Sequence, residues 1–398
     1  MPKDAMTSRE RVRAALRREA VDHLPLCVDT LCHGQVRYVS NRFPDPFERA
    51  LYYQGLGLDT GTRIEAPLQA PSENPAVEFR EWREQPPDEA WPLLCKEYRT
   101  ARGALRQTVR LTPDYRQDVI ADMFSDFNVP AARSVQYLVE QEADLDKLEL
   151  LLRPLSGQAL AEYREDAKRA RRFCDEHQLT LAVYHLGVGD PLIWLSGVEG
   201  TLRFAMEEKA FCRRYVELIA AWQRQVLEIA LEAGAQHVIR RGYYEGTDFW
   251  SPRLYEEFLL APLQREAQII HQAGATVAYV MASGYMPLLE PIKRSGVDML
   301  TGLDPEARGT DIPAIRAAIG DAVTLCGGVN NYHVLDRGTP QEVRRAVQEA
   351  IAVFTPAAGC ILAPTDAIGY DDVSGKNAAR EEQNFQVMVE TWREAVGA

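Results

Sequence analysis

The sequence predicts an α/β protein: a (β/α)8 TIM barrel with an N-terminal helical extension and a β-hairpin insert. Three observations predict it. The stretch 275–304, ATVAYVMASGYMPLLEPIKRSGVDMLTGLD, reads strand, turn, helix, strand. A βαβ unit of this kind makes two parallel strands joined by a right-handed crossover. The same alternation recurs from Leu179 to the end of the chain, and no linker or low-complexity tract marks a second domain in the 398 residues.

The elements follow in order. Thr7 to Arg18 opens with Thr7 and Glu10 at capping-box spacing, and Val12, Ala15 and Leu16 give one apolar face. Leu24 to Thr30 (LPLCVDT) reads as the first strand and ends on Asp29, Cys32 and His33. Pro44 to Gly57 reads as a helix, and Leu58 to Ala66 as a second strand carrying Asp59, Arg63 and Glu65. The alternation breaks over 67–114, where CKEYRTARGALRQTVRL reads as a hairpin turning at Gly103, placed over the barrel mouth. Residues 122–154 are mixed and end in an acidic helix, and 158–177 form a charged one. Six further strands are expected at 179–187, 237–244, 276–283, 298–304, 323–329 and 360–366, with helices at 198–207, 211–233, 252–273, 286–295, 312–319 and 340–354. Two early strands and six late ones make eight. An open doubly wound sheet is the competing arrangement, but no GxGxxG follows the first strand.

Composition narrows the function. A net charge of −13 opposes a general nucleic-acid role. Seven scattered cysteines without CxxC spacing suit reduced thiols rather than disulfides or a cysteine-only zinc site. The N-terminus has no apolar signal core and no stretch is long enough to span a bilayer, so a cytoplasmic protein is expected.

Barrels place their chemistry at the C-terminal ends of their strands. Those ends carry Asp29, Cys32 and His33; Arg63 and Glu65; His185 and Asp190; Arg240, Arg241, Tyr243 and Glu245; Met281 and Ser283; Asp304; Asn330 and Asn331; Thr365 and Asp366. Clustered carboxylates suit proton transfer, and an arginine suits a substrate carboxylate. Arg240 and Arg241 are strand neighbours, so only one faces the interior, and the other packs among the helices or makes a structural ion pair. Glu245 could equally cap the helix near Ser251, and Asp304 the turn at Pro305. Gly327 and Gly328 form no phosphate loop, and no GxSxG is present.

Taken together, TSRERVRAALRREAVDHLPL, YRTARGALRQ, SPRLYEEFLLAPLQREAQIIHQAGATV, SGVDMLTGLDP, GDAVTLCGGVNNYHVLDRGTPQEVRRAV and AAGCILAPTDAI resemble the uroporphyrinogen decarboxylase superfamily over nearly the whole chain. The resemblance implies a (β/α)8 barrel and two chemistries. One branch decarboxylates uroporphyrinogen without a cofactor, and its signature resembles RPVWxMRQAGRY. This chain has LPLCVDTLCHGQVRY, without the tryptophan or the paired arginines. The other branch comprises cobamide-dependent methyltransferases, which use zinc bound by HxCG and a late cysteine. Here Met281, Ser283 and Asp366 fall at those positions, so no zinc is expected there.

Three readings follow. The leading one is a methyltransferase- or demethylase-like enzyme acting on a small methoxy, methylthio or methylamine-type substrate. Its cobamide would come from a separate corrinoid protein, since no DxHxxG pattern is present and no tightly bound cofactor is expected. The alternatives are a cofactor-free decarboxylase and a non-catalytic binding barrel. Under the leading reading Glu245, Asp366, Tyr243 and Asp304 are the catalytic candidates. Asp29, His33, His185, Arg241, Met281, Ser283 and Asn330 are expected to contact substrate, and the oligomeric state is left open, a homodimer being one option.

Overall fold

The computed structural model describes residues 5–32, 34–113, 123–369 and 376–397. In chain order its strands are β1 (Gly61–Ile64), β2 (Glu78–Glu84), β3 (Leu93–Thr100), β4 (Gly103–Arg110), β5 (Ser134–Gln136), β6 (Thr180–His185), β7 (His237–Arg241), β8 (Thr276–Val280), β9 (Met299–Leu303), β10 (Thr324–Val329) and β11 (Cys360–Pro364). Strands β1 and β6 to β11 form one seven-stranded parallel sheet in that order. Helices run between successive strands, as parallel pairing requires.

The sheet is curled. Cys27 N–H donates to Leu362 O of β11 at 2.9 Å, and Asp59 N–H, just before β1, donates to Leu26 O at 3.0 Å. One extended segment therefore touches both edges of the sheet. LPLCVDT, expected as a full strand, makes only isolated bridges at Leu26 and Cys27. Its ladder cannot lengthen. Pro25 has no N–H to give, and Asp29 sits at φ 60°, which turns the chain away. The ordered parallel strands thus number seven among the described residues, not eight.

Helix starts follow the sequence signals. Thr7 with Glu10 and Thr339 with Glu342 form capping boxes, while Ser251 and Asp311 cap helices that carry proline in their first turn. The helix expected at 198–207 begins earlier and runs Gly189–Glu207, broken at Gly197. None of the described helices is long and apolar enough to cross a membrane.

The hairpin of β3 and β4 turns at Gly103 as expected, but it belongs to a larger antiparallel sheet, β2-β3-β4-β5. The excursion continues past residue 114. It closes where Leu68 bridges Pro154 and Leu155 N–H donates to Pro67 O at 2.9 Å. Between β4 and β5 lies the short 3-10 turn Asp126–Asn128, which brings Asp126 to the C-terminal ends of the parallel strands.

Candidate functional site

Strand β7 ends in two arginines, and strand alternation sends them to opposite sides. Arg240 is fully buried. Its Nε donates to Glu266 at 2.8 Å, and its Nη1 to Glu245 and to Arg241 O. Glu266 also meets His185 Nε2 at 3.4 Å, while Glu245 accepts from Gly189 N–H at 2.7 Å and Tyr279 O–H at 2.5 Å. Burial alone would raise the Glu266 carboxyl, but Arg240 and His185 hold it down at about 2.

The network needs absent side chains. A Cβ on Gly189 would lie 2.3 Å from Glu245 Cγ, and one on Gly187 would lie 2.5 Å from Arg240 Cζ. Gly189→Ala is therefore expected to cost about 1–3 kcal/mol in chemical denaturation. Gly55→Ala, where the added methyl meets open space, should cost far less.

Arg241 faces the other way, towards a recess of about 440 Å³ lined by Asp126, Arg241, Tyr243, Tyr244, Phe249, Ala282, Ser283 and Asp366. These residues come from the ends of β7, β8 and β11 and from the insert. Arg241 Nε donates to Asp190 Oδ1 at 2.7 Å, and Nη2 to both Asp126 oxygens at 2.9 Å. Its guanidinium lies over the rings of Trp194 and Tyr243, at 4.8 and 4.6 Å from their centroids. Asp126 also accepts from Trp194 Nε1 at 2.7 Å and Tyr244 O–H at 2.8 Å.

The two carboxylates on Arg241 are pushed apart. Asp190 is wholly buried, and its Oδ2 has no hydrogen-bond partner among the described residues. Burial raises it to about 7, against the pull of Arg241 and with a push from Glu245. Asp126 also pays a burial penalty, but Arg241, Trp194 and Tyr244 more than offset it and hold it below the usual carboxylate range. One shared guanidinium thus keeps the multiply bonded carboxylate ionised and leaves the buried one able to hold a proton. Burial and the nearby Asp366 keep the Tyr243 phenol protonated, well above its ordinary range.

Residues 134–370, more than half the chain, match the family Uroporphyrinogen decarboxylase (URO-D). The chain belongs to this family. Among solved structures, a methyltransferase from Methanosarcina mazei aligns over 98% of this chain and 99% of its own, with 15% identity and a TM-score of 0.60. A B12-independent methionine synthase from a Shewanella species aligns over 94% and 99%, with 12% identity and a TM-score of 0.49. The first likeness is one of fold. No curated protein matches the sequence.

In this URO-D family chain the recess brings together four of the residues singled out in the sequence: Arg241, Tyr243, Ser283 and Asp366. A fifth, Asp190, stands behind the lining on Arg241 Nε, and most of the others lie elsewhere. Glu245, expected to act on substrate, is fully buried and committed to Arg240, Tyr279 and Gly189. His185 is buried against Glu266, and Met281 is buried without exposure. Asp304 accepts from Asn330 Nδ2 at 2.8 Å and from Glu306 N–H at 2.9 Å, so both residues fasten a turn. Asp29 is buried and pairs with Arg49 at 2.8 Å. Glu65 is largely exposed beside Arg63, and Cys32 is buried. His33 lies outside the described residues. The sequence reading missed Asp126, Trp194 and Tyr244.

The zinc positions of the methyltransferase branch do not fit the metal. Ser283 Oγ donates to Asp248, Asp366 Oδ1 accepts from Ala367 N–H at 2.7 Å, and the Met281 thioether is a poor zinc ligand. Among the described residues no three His, Cys, Asp or Glu side chains are placed to share a metal ion.

Proposed function

We propose that this URO-D family chain is a methyl-transfer enzyme for a small methylated substrate, held in the recess around Arg241. The reading extends to a closed (β/α)8 barrel in which Pro25–Val28 stands as an abbreviated first strand. The observation that carries it is the pair of carboxylates that share Arg241, Asp126 bonded at several points and held low, Asp190 wholly buried and raised to about 7. Environments that push two acids apart divide the roles of acid and base.

The methyl acceptor is a cobamide supplied by a separate corrinoid protein, which provides the nucleophile. This chain's residues bind and orient the substrate and manage its proton. When the C–heteroatom bond breaks, the heteroatom keeps the electron pair and takes a proton, whose source is Asp190, buried directly behind Arg241 and reached through the recess lining rather than by contact with substrate. Tyr243, Tyr244 and Phe249 enclose the methylated end, and Asp366 and Ser283 line the wall. Asp126 keeps Arg241 in place. Decarboxylation of a polycarboxylate is disfavoured, because both donor edges of Arg241 bonded here are already taken by carboxylates.

The test follows the absorbance of added reduced corrinoid with a panel of methoxy, methylthio and methylammonium compounds, with mass spectrometry of the demethylated product. Corrinoid methylation with matching product is the expected result. An unchanged spectrum across the panel retires the reading, and CO2 release from a carboxylic acid would replace it with the decarboxylase.

A further inference from the structure

The recess has the wrong charge for an anion. Among the described residues its lining carries Asp126 and Asp366 against one cation, Arg241. Directly behind the lining stand Asp190, on Arg241 Nε, and Asp248, on the Ser283 hydroxyl. Among the described residues the carboxylates in and behind this lining outnumber its guanidinium even with Asp190 protonated. Asp126 and Asp190 already occupy two edges of that guanidinium, and Trp194 and Tyr243 cover it as rings. Arg63 lies against the Tyr184 ring at 5.8 Å and does not line the recess. An anionic substrate would have to displace Asp126 and then face Asp366.

The apolar part of the lining is aromatic. Tyr244 and Phe249 meet edge to face, with centroids 5.1 Å apart and planes at 81°. With Tyr243 they give the recess three rings, set beside carboxylates. Ring faces attract an alkylated ammonium through their quadrupoles, and a desolvated contact strengthens that attraction. A volume of about 440 Å³ suits a small molecule.

We propose that the recess recognises a small methylated ammonium cation, with Tyr243, Tyr244 and Phe249 around its methyl groups and Asp126 and Asp366 as counter-charge. This rests on the methyl-transfer reading for its biological sense, but not for its test. In the full reaction the nitrogen that loses a methyl keeps the electron pair and leaves as the neutral amine, which then takes up one proton, from Asp190.

The experiment is calorimetric titration of the full chain, without any corrinoid, with choline, with its neutral carbon isostere 3,3-dimethylbutanol, and with succinate. Choline is expected to bind at least tenfold more tightly than the isostere. Phe249→Leu and Asp366→Asn should each weaken choline about tenfold or more and leave the isostere nearly unchanged; unfolding curves of both variants report whether the fold is intact. A double variant in which neither change moves choline affinity overturns the proposal. So does equal affinity for choline and isostere, tighter binding of succinate, or no choline heat at about 10 mM. The two readings fail separately. Choline binding without methyl transfer sinks the chemistry and keeps the recognition, whereas methyl transfer from a neutral ether without ammonium binding does the reverse.

Discussion

Arg240→Met is expected to lower the unfolding free energy by about 3–5 kcal/mol, the cost of leaving buried carboxylates without their cation. Methionine fills much of the same space, so the loss reports charge rather than volume. Glu245 and Glu266 would both remain buried. Glu266 is held near 2 in the native chain chiefly by Arg240 against burial. A carboxylate whose folded pKa is depressed contributes stability above its unfolded pKa, and that stability is lost as pH falls through the folded value. Removing Arg240 reverses the sign, because burial then favours the protonated acid. The deficit should therefore be largest at pH 7 and shrink towards pH 5, as urea unfolding at the two values would show. Adding Glu245→Gln and Glu266→Gln should recover part of it. A deficit that is flat with pH and unrelieved by those changes would mean that Arg240 acts through packing.

The parallel strands were legible because burial on both faces gives continuous apolar runs such as TVAYV and MLTGL. LPLCVDT has the same composition, but its ladder is cut short at Pro25 and Asp29, and a strand-end list cannot weigh that. Site residues were less legible for a geometric reason. Spacing gives a position along a strand and not the side to which a following loop residue turns. Glu245 was placed correctly at the end of β7, yet it turns in to Arg240. The missing side chains at Gly187 and Gly189 were the readable trace of that turn. Asp126 had no local signal at all. It reaches Arg241 because β4 and β5 pair and dock the intervening turn, which is a tertiary event without periodicity.

Asp190→Asn should have the largest effect on turnover, lowering kcat/KM by about 10²-fold or more, the usual range for loss of a positioned acid. Asparagine keeps an oxygen for Arg241 Nε but carries no exchangeable acidic proton. In the native chain kcat/KM should fall as pH rises above about 7, where burial places the Asp190 carboxyl. The variant should lose that limb, which a purely positioning role for Asp190 would leave in place. Stability supplies an independent reading. The folded pKa of about 7 lies above that of an unfolded aspartate near 4, so the folded state binds this proton more tightly. Its contribution is complete below about pH 4 and is lost as pH rises to about 7, at up to about 1.4 kcal/mol per pH unit. Asp59, which burial raises to about 6 against the pull of Arg11, gives a slope of the same sign that the variant retains. The difference between native and variant unfolding curves from pH 5 to 8 therefore isolates Asp190. If that difference is flat while activity still falls 10²-fold, Asp190 is ionised throughout, and its part in the reaction is to hold Arg241 rather than to deliver a proton.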